Sequence, residues 1–272
     1  MSLPPHRVDY SPIIERPPIK WPNGERVELW VAPNVEHYEY EPEYDGQRDP
    51  WPRMPYPDVQ QYSYRDYGNR VGFWRMLEVL DKHNIRCCVS LNMAVLEHYP
   101  EIKDAMVERN WDFMSHGIYN TEFINTWSEQ RERAWYQDSI DTLRRHTGKQ
   151  LKGMFGPAGF SSENSPDLMA EAGLIYHSDW MHDDQPVPIK GKTGKMVSVP
   201  YSIEVNDGVL FRQIDIDSTL RDTLEVCSMN ITVSKLQRSG NLLRLKVMNN
   251  EQNNLNPSKD GIALKSWEAS KA

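Results

Sequence analysis

Two stretches of this 272-residue chain set acid/base and ligand-type side chains at the ends of apolar runs. One is Glu28-Leu29-Trp30-Val31-Ala32-Pro33-Asn34-Val35, which closes in Glu36-His37. The other is Trp111-Asp112-Phe113-Met114, followed by Ser115-His116-Gly117-Ile118-Tyr119-Asn120. A glutamate at a strand end can act as a general base, and an imidazole beside it as a metal ligand or a second acid/base group. His116 and Asn120 stand four residues apart, so on a helical turn both can face one centre. An Asn that caps the following turn is the alternative. Asp179-Trp180-Met181-His182-Asp183-Asp184 clusters carboxylates with an imidazole, and reads either as groups that orient a site or as a solvated loop. Gly156-Pro157-Ala158-Gly159 would let backbone N–H groups approach a ligand closely, although it fits no phosphate-loop pattern.

The elements that must position these residues follow from hydrophobic patterning. Strands are expected at Val27–Val35, Ile85–Met93, Trp111–Met114, Gly153–Phe155, Leu174–Asp179 and Lys195–Ser202. Phe73, Trp74, Leu77 and Leu80 form one face of a helix that starts near Tyr67 and that Asn84 can end. Further helices are expected over Ala94–Arg109 and from the cap Ser128 to about His146, stopped by Thr147-Gly148. Another has Ser165 as N-cap, Pro166 in its first turn and Gly173 as its stop. Strands alternating with helices mean a parallel sheet with helices outside it, and parallel sheets carry their chemistry at the C-terminal ends of the strands. The expected class is α/β, barrel-like.

Residues 1–26 are rich in proline and charge and read as an extended arm over a domain of residues 27–212. Residues 38–66 read as a long loop whose aromatics (Tyr38, Tyr40, Tyr44, Trp51, Tyr56, Tyr62, Tyr64) line a pocket, pack on the surface or form a subunit interface. Residues 213–272 read as an atypical tail, poorly ordered toward its end, with weak strand patterns at Ile231-Thr232-Val233 and Leu242–Val247. A net charge of -8 with no basic patch argues against nucleic-acid binding. The three cysteines Cys87, Cys88 and Cys227 form no disulfide framework and fit a reducing compartment. The chain shows no signal-peptide core and no membrane-length apolar run, so a soluble cytoplasmic protein, with a homo-oligomer left open, is the expectation.

Taken in order, Asn34-Val35-Glu36-His37, Ser115-His116-Gly117-Ile118-Tyr119-Asn120, Phe155-Gly156-Pro157-Ala158-Gly159 and Asp179-Trp180 resemble the polysaccharide deacetylase (NodB-homology, carbohydrate esterase 4-like) family. The resemblance is to its divergent allantoinase-like branch and spans roughly Pro18 to Asp207. It implies a distorted (β/α) barrel that hydrolyses non-peptide C–N bonds in a glycan or small molecule, such as N-acetyl groups on sugars or a ureide ring. It gives Glu36 the role of base; for the proton donor, His182 is the one candidate that the residues themselves offer. Tyr119, Pro157, Asp179 and Trp180 become substrate-binding residues. Where the family holds a divalent, zinc-like metal with one aspartate and two histidines, this chain offers His37, His116 and Asn120. That set brings no negative charge, so the resemblance implies weak metal binding or a metal-independent amidase built on Glu36. The family's third-motif arginine is replaced by Phe155, and its late catalytic histidine has no counterpart after Arg212. An inactive barrel that only binds is the competing expectation.

Overall fold

A computed structural model of the chain describes residues 7–19, 27–43, 58–192, 195–201, 230–233 and 262–263. Its centre is a seven-stranded, mainly parallel sheet. In chain order the strands are β2 (Asn34–Val35), β3 (Cys88–Leu91), β4 (Asp112–Ser115), β5 (Gly153–Met154), β6 (Tyr176–His177), β7 (Val187–Ile189) and β8 (Met196–Ser198). Their spatial order is β2-β3-β4-β5-β6-β8-β7, and only β7 runs antiparallel to its neighbour. The α/β expectation holds. The expected first strand divides at Pro33. Before it, β1 (Val27–Ala32) pairs with β9 (Asn230–Val233) and β10 (Ile262–Ala263) in a separate three-stranded sheet. Proline lacks the N–H that would continue a ladder, but its carbonyl still accepts from Ser90 N–H at 2.9 Å.

β9 falls on Ile231-Thr232-Val233, so this part of the tail is tied to β1. Apart from β9 and β10 the tail, with Leu242–Val247 and Cys227, lies outside the described residues, as do Tyr44, Trp51 and Tyr56.

Period-two alternation gives the sheet two distinct faces. Val31, Val89, Phe113 and Met154 pack with the helices in the main core. On the other face Ala32, Cys88, Met114, Tyr176 and Tyr201 form a second, smaller cluster with Trp30 and Phe155. A Cβ at Gly153 would lie 1.9 Å from the Tyr176 ring, which explains a glycine at that strand position.

The helices depart from expectation at three points. The loop expected to run to Asp66 is helical from Val59: α1 (Val59–Tyr67) passes through a π-helical turn, Gly68–Gly72, into α2 (Phe73–Lys82). Phe73, Met76, Leu77 and Leu80 are buried on α2, while Trp74 is half-exposed. Asn84 ends the run with a left-handed φ of 52°. The expected 94–109 helix divides at Tyr99-Pro100 into α3 (Val95–His98) and α4 (Pro100–Glu108), because the residue before proline is driven out of helical conformation. α5 (Glu129–Thr147) has the expected Ser128 cap, whose hydroxyl accepts from Arg131 N–H, and a left-handed Gly148 stop. In α6 (Ser165–Glu171) the cap position is Asn164 rather than Ser165. The Ser165 hydroxyl instead donates to the buried carboxylate of Glu132, at 2.5 Å.

The described part of the arm is held against the domain by ion pairs Arg7–Asp167 (2.7 Å) and Arg16–Asp183 (2.5 Å). Lys190 N–H, just beyond β7, donates to the Arg7 carbonyl at 2.6 Å. Among the described residues no helix is long and apolar enough to cross a membrane, and Cys87 and Cys88 are buried free thiols.

Candidate active site

Adjacent strands β2, β3 and β4 end together, and their ends are tied by one side chain. Asn92, fully buried after β3, accepts from His37 N–H through Oδ1 at 2.9 Å and donates through Nδ2 to the His116 carbonyl. The chain after β4 then turns at Gly117, with φ +77° and the Trp135 ring 2.3 Å from where a Cβ would stand. Only glycine fits this turn, and it carries the chain back so that Asn120 N–H reaches the His37 carbonyl at 2.9 Å.

Four side chains converge within this frame. Glu36 Oε1 lies 3.5 Å from His116 Nε2. Glu36 Oε2 accepts from the Tyr38 hydroxyl at 2.8 Å and from Asn120 Nδ2 at 2.9 Å. A carboxylate only accepts, so this contact fixes Asn120 with its N–H2 toward Glu36. Its Oδ1 is left buried and without a hydrogen-bond partner. His116 is buried, and its Nδ1 stands 2.5 Å from the Phe155 carbonyl. A carbonyl cannot donate, so Nδ1 carries a proton, and Nε2 is the nitrogen turned to Glu36. The His116 ring also faces Phe155 at 5.1 Å, and Phe155 stacks on Tyr201 at 4.2 Å. Where the family has an arginine, Phe155 thus contributes a backbone oxygen and a ring.

Burial would push the Glu36 carboxyl up, but the hydrogen bond and charge of His116, the Tyr38 hydroxyl and the Arg65 guanidinium outweigh it. The carboxyl is held below its ordinary value. Burial and the neighbouring Glu36 charge raise Tyr38 well above the usual phenol range, so its proton stays on the hydroxyl that faces the carboxylate.

His37 does not join this group. Its ring packs against His98 (4.7 Å), Tyr99 (5.4 Å) and Tyr119 (5.8 Å). Its Nδ1 is 3.3 Å from the Tyr99 hydroxyl, which donates to Asp66 Oδ1 at 2.9 Å. Burial first, then the His98 imidazole, brings His37 down to about 4, so it is neutral at physiological pH.

The ligand set His37, His116, Asn120 is therefore not assembled. The His37 imidazole points into the aromatic group, and Asn120 presents to Glu36 the amide N–H2, which cannot ligate. Among the described residues no group of three His, Cys, Asp or Glu side chains is arranged to hold a metal ion. This donor set does not fit a divalent cation.

The remaining expected site residues are dispersed. Asp179 has a fully buried side chain and accepts from Gly156 N–H at 2.7 Å, so it fixes the turn that starts at the buried Pro157. Trp180 donates to the Ser161 hydroxyl at 3.0 Å. His182 is exposed and rests edge-on against Trp180 at 5.6 Å. Asn92, Arg65 and the Phe155 carbonyl are the participants that sequence reasoning missed, and Tyr38, expected only as a loop aromatic, meets Glu36 through its hydroxyl. Tyr38 alone carried a signal, as a tyrosine two residues beyond Glu36.

Comparison with known proteins agrees with this architecture. The family model described as polysaccharide deacetylase matches residues 62–177. A candidate polysaccharide deacetylase of Schizosaccharomyces pombe is 27% identical over 174 residues, covering 58% of this chain and 54% of its own. The chain thus spans about half the length of that curated relative. Among solved structures, a probable polysaccharide deacetylase of Pseudomonas aeruginosa superposes with a TM-score of 0.58 at 25% identity, over 71% of this chain and 67% of its own. PuuE allantoinase superposes with a TM-score of 0.59 at 23% identity, over 74% and 71%. Residues 62–177 match the polysaccharide deacetylase family model, and the chain shares the parallel-dominated α/β fold of these neighbours. The family match includes His116, Asn120 and Pro157 but begins after Glu36.

Proposed function

We propose that this protein hydrolyses a non-peptide C–N bond of an amide or ureide, on a glycan or a small molecule, with Glu36 as general base. The observation that carries the reading is the Glu36 carboxylate at the end of β2, backed on Oε2 by Tyr38 and Asn120 and faced on Oε1 by His116 Nε2. Backing one oxygen with two donors leaves Oε1 to take a proton from an attacking water. With Nδ1 held by the Phe155 carbonyl, the His116 imidazolium can donate its Nε2 proton to the developing oxyanion or the leaving nitrogen, while Glu36 keeps the proton taken from water. This gives His116 the task that the sequence assigned to His182. The reaction needs no charge from His37.

Purified protein would be tested on a panel of N-acetylated sugars and ureides, including allantoin, beside Glu36→Gln. We expect turnover by the native chain and its loss in the variant by a factor of about 10² or more, since a positioned base contributes on the order of 10²–10⁴. Full activity in Glu36→Gln overturns the assignment.

A binding-only barrel is the second reading. It is favoured by Asn120 occupying the Glu36 carboxylate from within the protein, and turnover of any panel member by pure protein removes it.

A further inference from the structure

The segment that carries Glu36, His37 and Tyr38 is also held from one helical run, α1 and the π-helical turn after it. Asn69, buried in the π-helical turn, donates to the Glu36 carbonyl at 2.7 Å. Asp66 on α1 holds the Tyr99 hydroxyl that touches His37. One residue earlier, Arg65 lays its guanidinium over the Tyr38 ring, with Cζ 4.8 Å from the ring centroid. The hydroxyl of that ring donates to Glu36 Oε2.

We propose that Arg65 is a positioning residue for Glu36, acting through Tyr38. A guanidinium on the face of a phenol ring locks the ring by cation–π attraction, and so fixes where its hydroxyl meets the carboxylate. The same cation lowers the charge cost of the Glu36 carboxylate from the far side of the Tyr38 ring. The charged and titratable groups facing Glu36 are His116 from the end of β4, Tyr38 from its own segment and Arg65 from α1, with the neutral amide of Asn120 beside them. Arg65 lowers the Glu36 carboxyl together with His116 and Tyr38, in keeping with this placement. Arg65 and Asn69 stand four residues apart on this run, so both can reach the β2 end from one face.

The inference rests on Glu36 being the base, so its test includes a readout that needs no turnover. The full chain, ¹³C-labelled at glutamate carboxyls and with the Glu36 resonance assigned from Glu36→Gln, is titrated as native protein, Arg65→Met, Arg65→Lys and Tyr38→Phe. Arg65→Met is expected to move the Glu36 midpoint upward, and Arg65→Lys, which keeps the charge, to restore most of the native value. On whichever panel substrate turns over, Arg65→Met is expected to lower kcat about tenfold with KM within twofold, and to move the acid limb of kcat/KM upward in parallel. An unchanged Glu36 midpoint in Arg65→Met, while Tyr38→Phe shifts it, overturns the proposal. If the midpoint moves but Glu36→Gln retains activity, Arg65 positions Glu36 and the base assignment is what fails.

Discussion

Glu36 and His37 are neighbours in the chain, yet they belong to two different clusters. Glu36 meets Tyr38, His116 and Asn120 through hydrogen bonds and a close charge contact. His37 meets His98, Tyr99 and Tyr119 mainly through ring faces and edges. The cause is backbone geometry: successive side chains of an extended segment point to opposite sides, so Glu36 and Tyr38 share one side and His37 takes the other. The first cluster is built from donors aimed at one carboxylate, and it can move protons. The second is an aromatic brace around an imidazole kept neutral by burial, and it holds the segment in place. Two adjacent residues of chemically active type are therefore no evidence for one shared centre.

Variants in the two clusters should separate accordingly. The largest effect is expected at His116: in His116→Ala the Glu36 carboxylate loses the imidazole at its free oxygen, and turnover should fall by about 10²–10³ while far-UV circular dichroism is unchanged. Activity within fivefold of native would show that the pair does not act together.

Asn120→Asp comes next. It replaces the N–H donor 2.9 Å from Glu36 Oε2 with a second carboxylate, and two like charges at that distance cannot both ionise freely. The acid limb of the pH–rate profile should move upward, with activity at neutral pH lower by about tenfold. An unmoved limb would mean that Asn120 does not sense the charge of Glu36.

On the other side of the backbone, His37→Phe should leave kcat/KM within about threefold and act on stability instead. His37 is lowered from 6.5 to about 4 in the fold, so below 6.5 the unfolded chain binds the proton that the native state refuses. Native stability should therefore fall as pH drops from 6.5 toward 4, and that slope should be shallower in His37→Phe. Urea midpoints at three pH values measure it, and equal slopes would refute the buried neutral imidazole. The smallest effect is expected for Tyr99→Phe, which removes the hydroxyl between Asp66 and His37 and should cost about 1 kcal/mol of stability with turnover intact.

Much of the framework was legible in the sequence. The order of strands and helices, the Ser128 cap, the Gly148 stop, and Glu36 and His116 as facing groups at strand ends all have local signatures in pattern or cap chemistry. What the sequence hid depends on partners far away in the chain. The contribution of Phe155 is a backbone carbonyl, which any residue could supply, and Asn92 links two strand ends as one asparagine among many. Helix α1 was read as loop because Val59–Tyr67 is mostly polar and lacks an apolar stripe; its worth lies in Arg65 and Asp66, not in a buried face. Strand β7 escaped notice because Val187-Pro188-Ile189 is three residues with a central proline, a composition tolerated only at a sheet border. Glu36 and His37 fall on opposite sides of the chain, as alternation along an extended segment dictates.

That border strand gives the N-terminal segment a use apart from chemistry. β7 ends the seven-stranded sheet, and a terminal strand offers unpaired backbone groups to any passing extended chain. Proline at its centre blunts the offer, and the Arg7 carbonyl takes the N–H of Lys190 just past its end. The pairs Arg7–Asp167 and Arg16–Asp183 fasten this cover at two points. Residues 7–19 are thus held beside that border, and neutralising both arginines would leave it more open to strand-by-strand self-association.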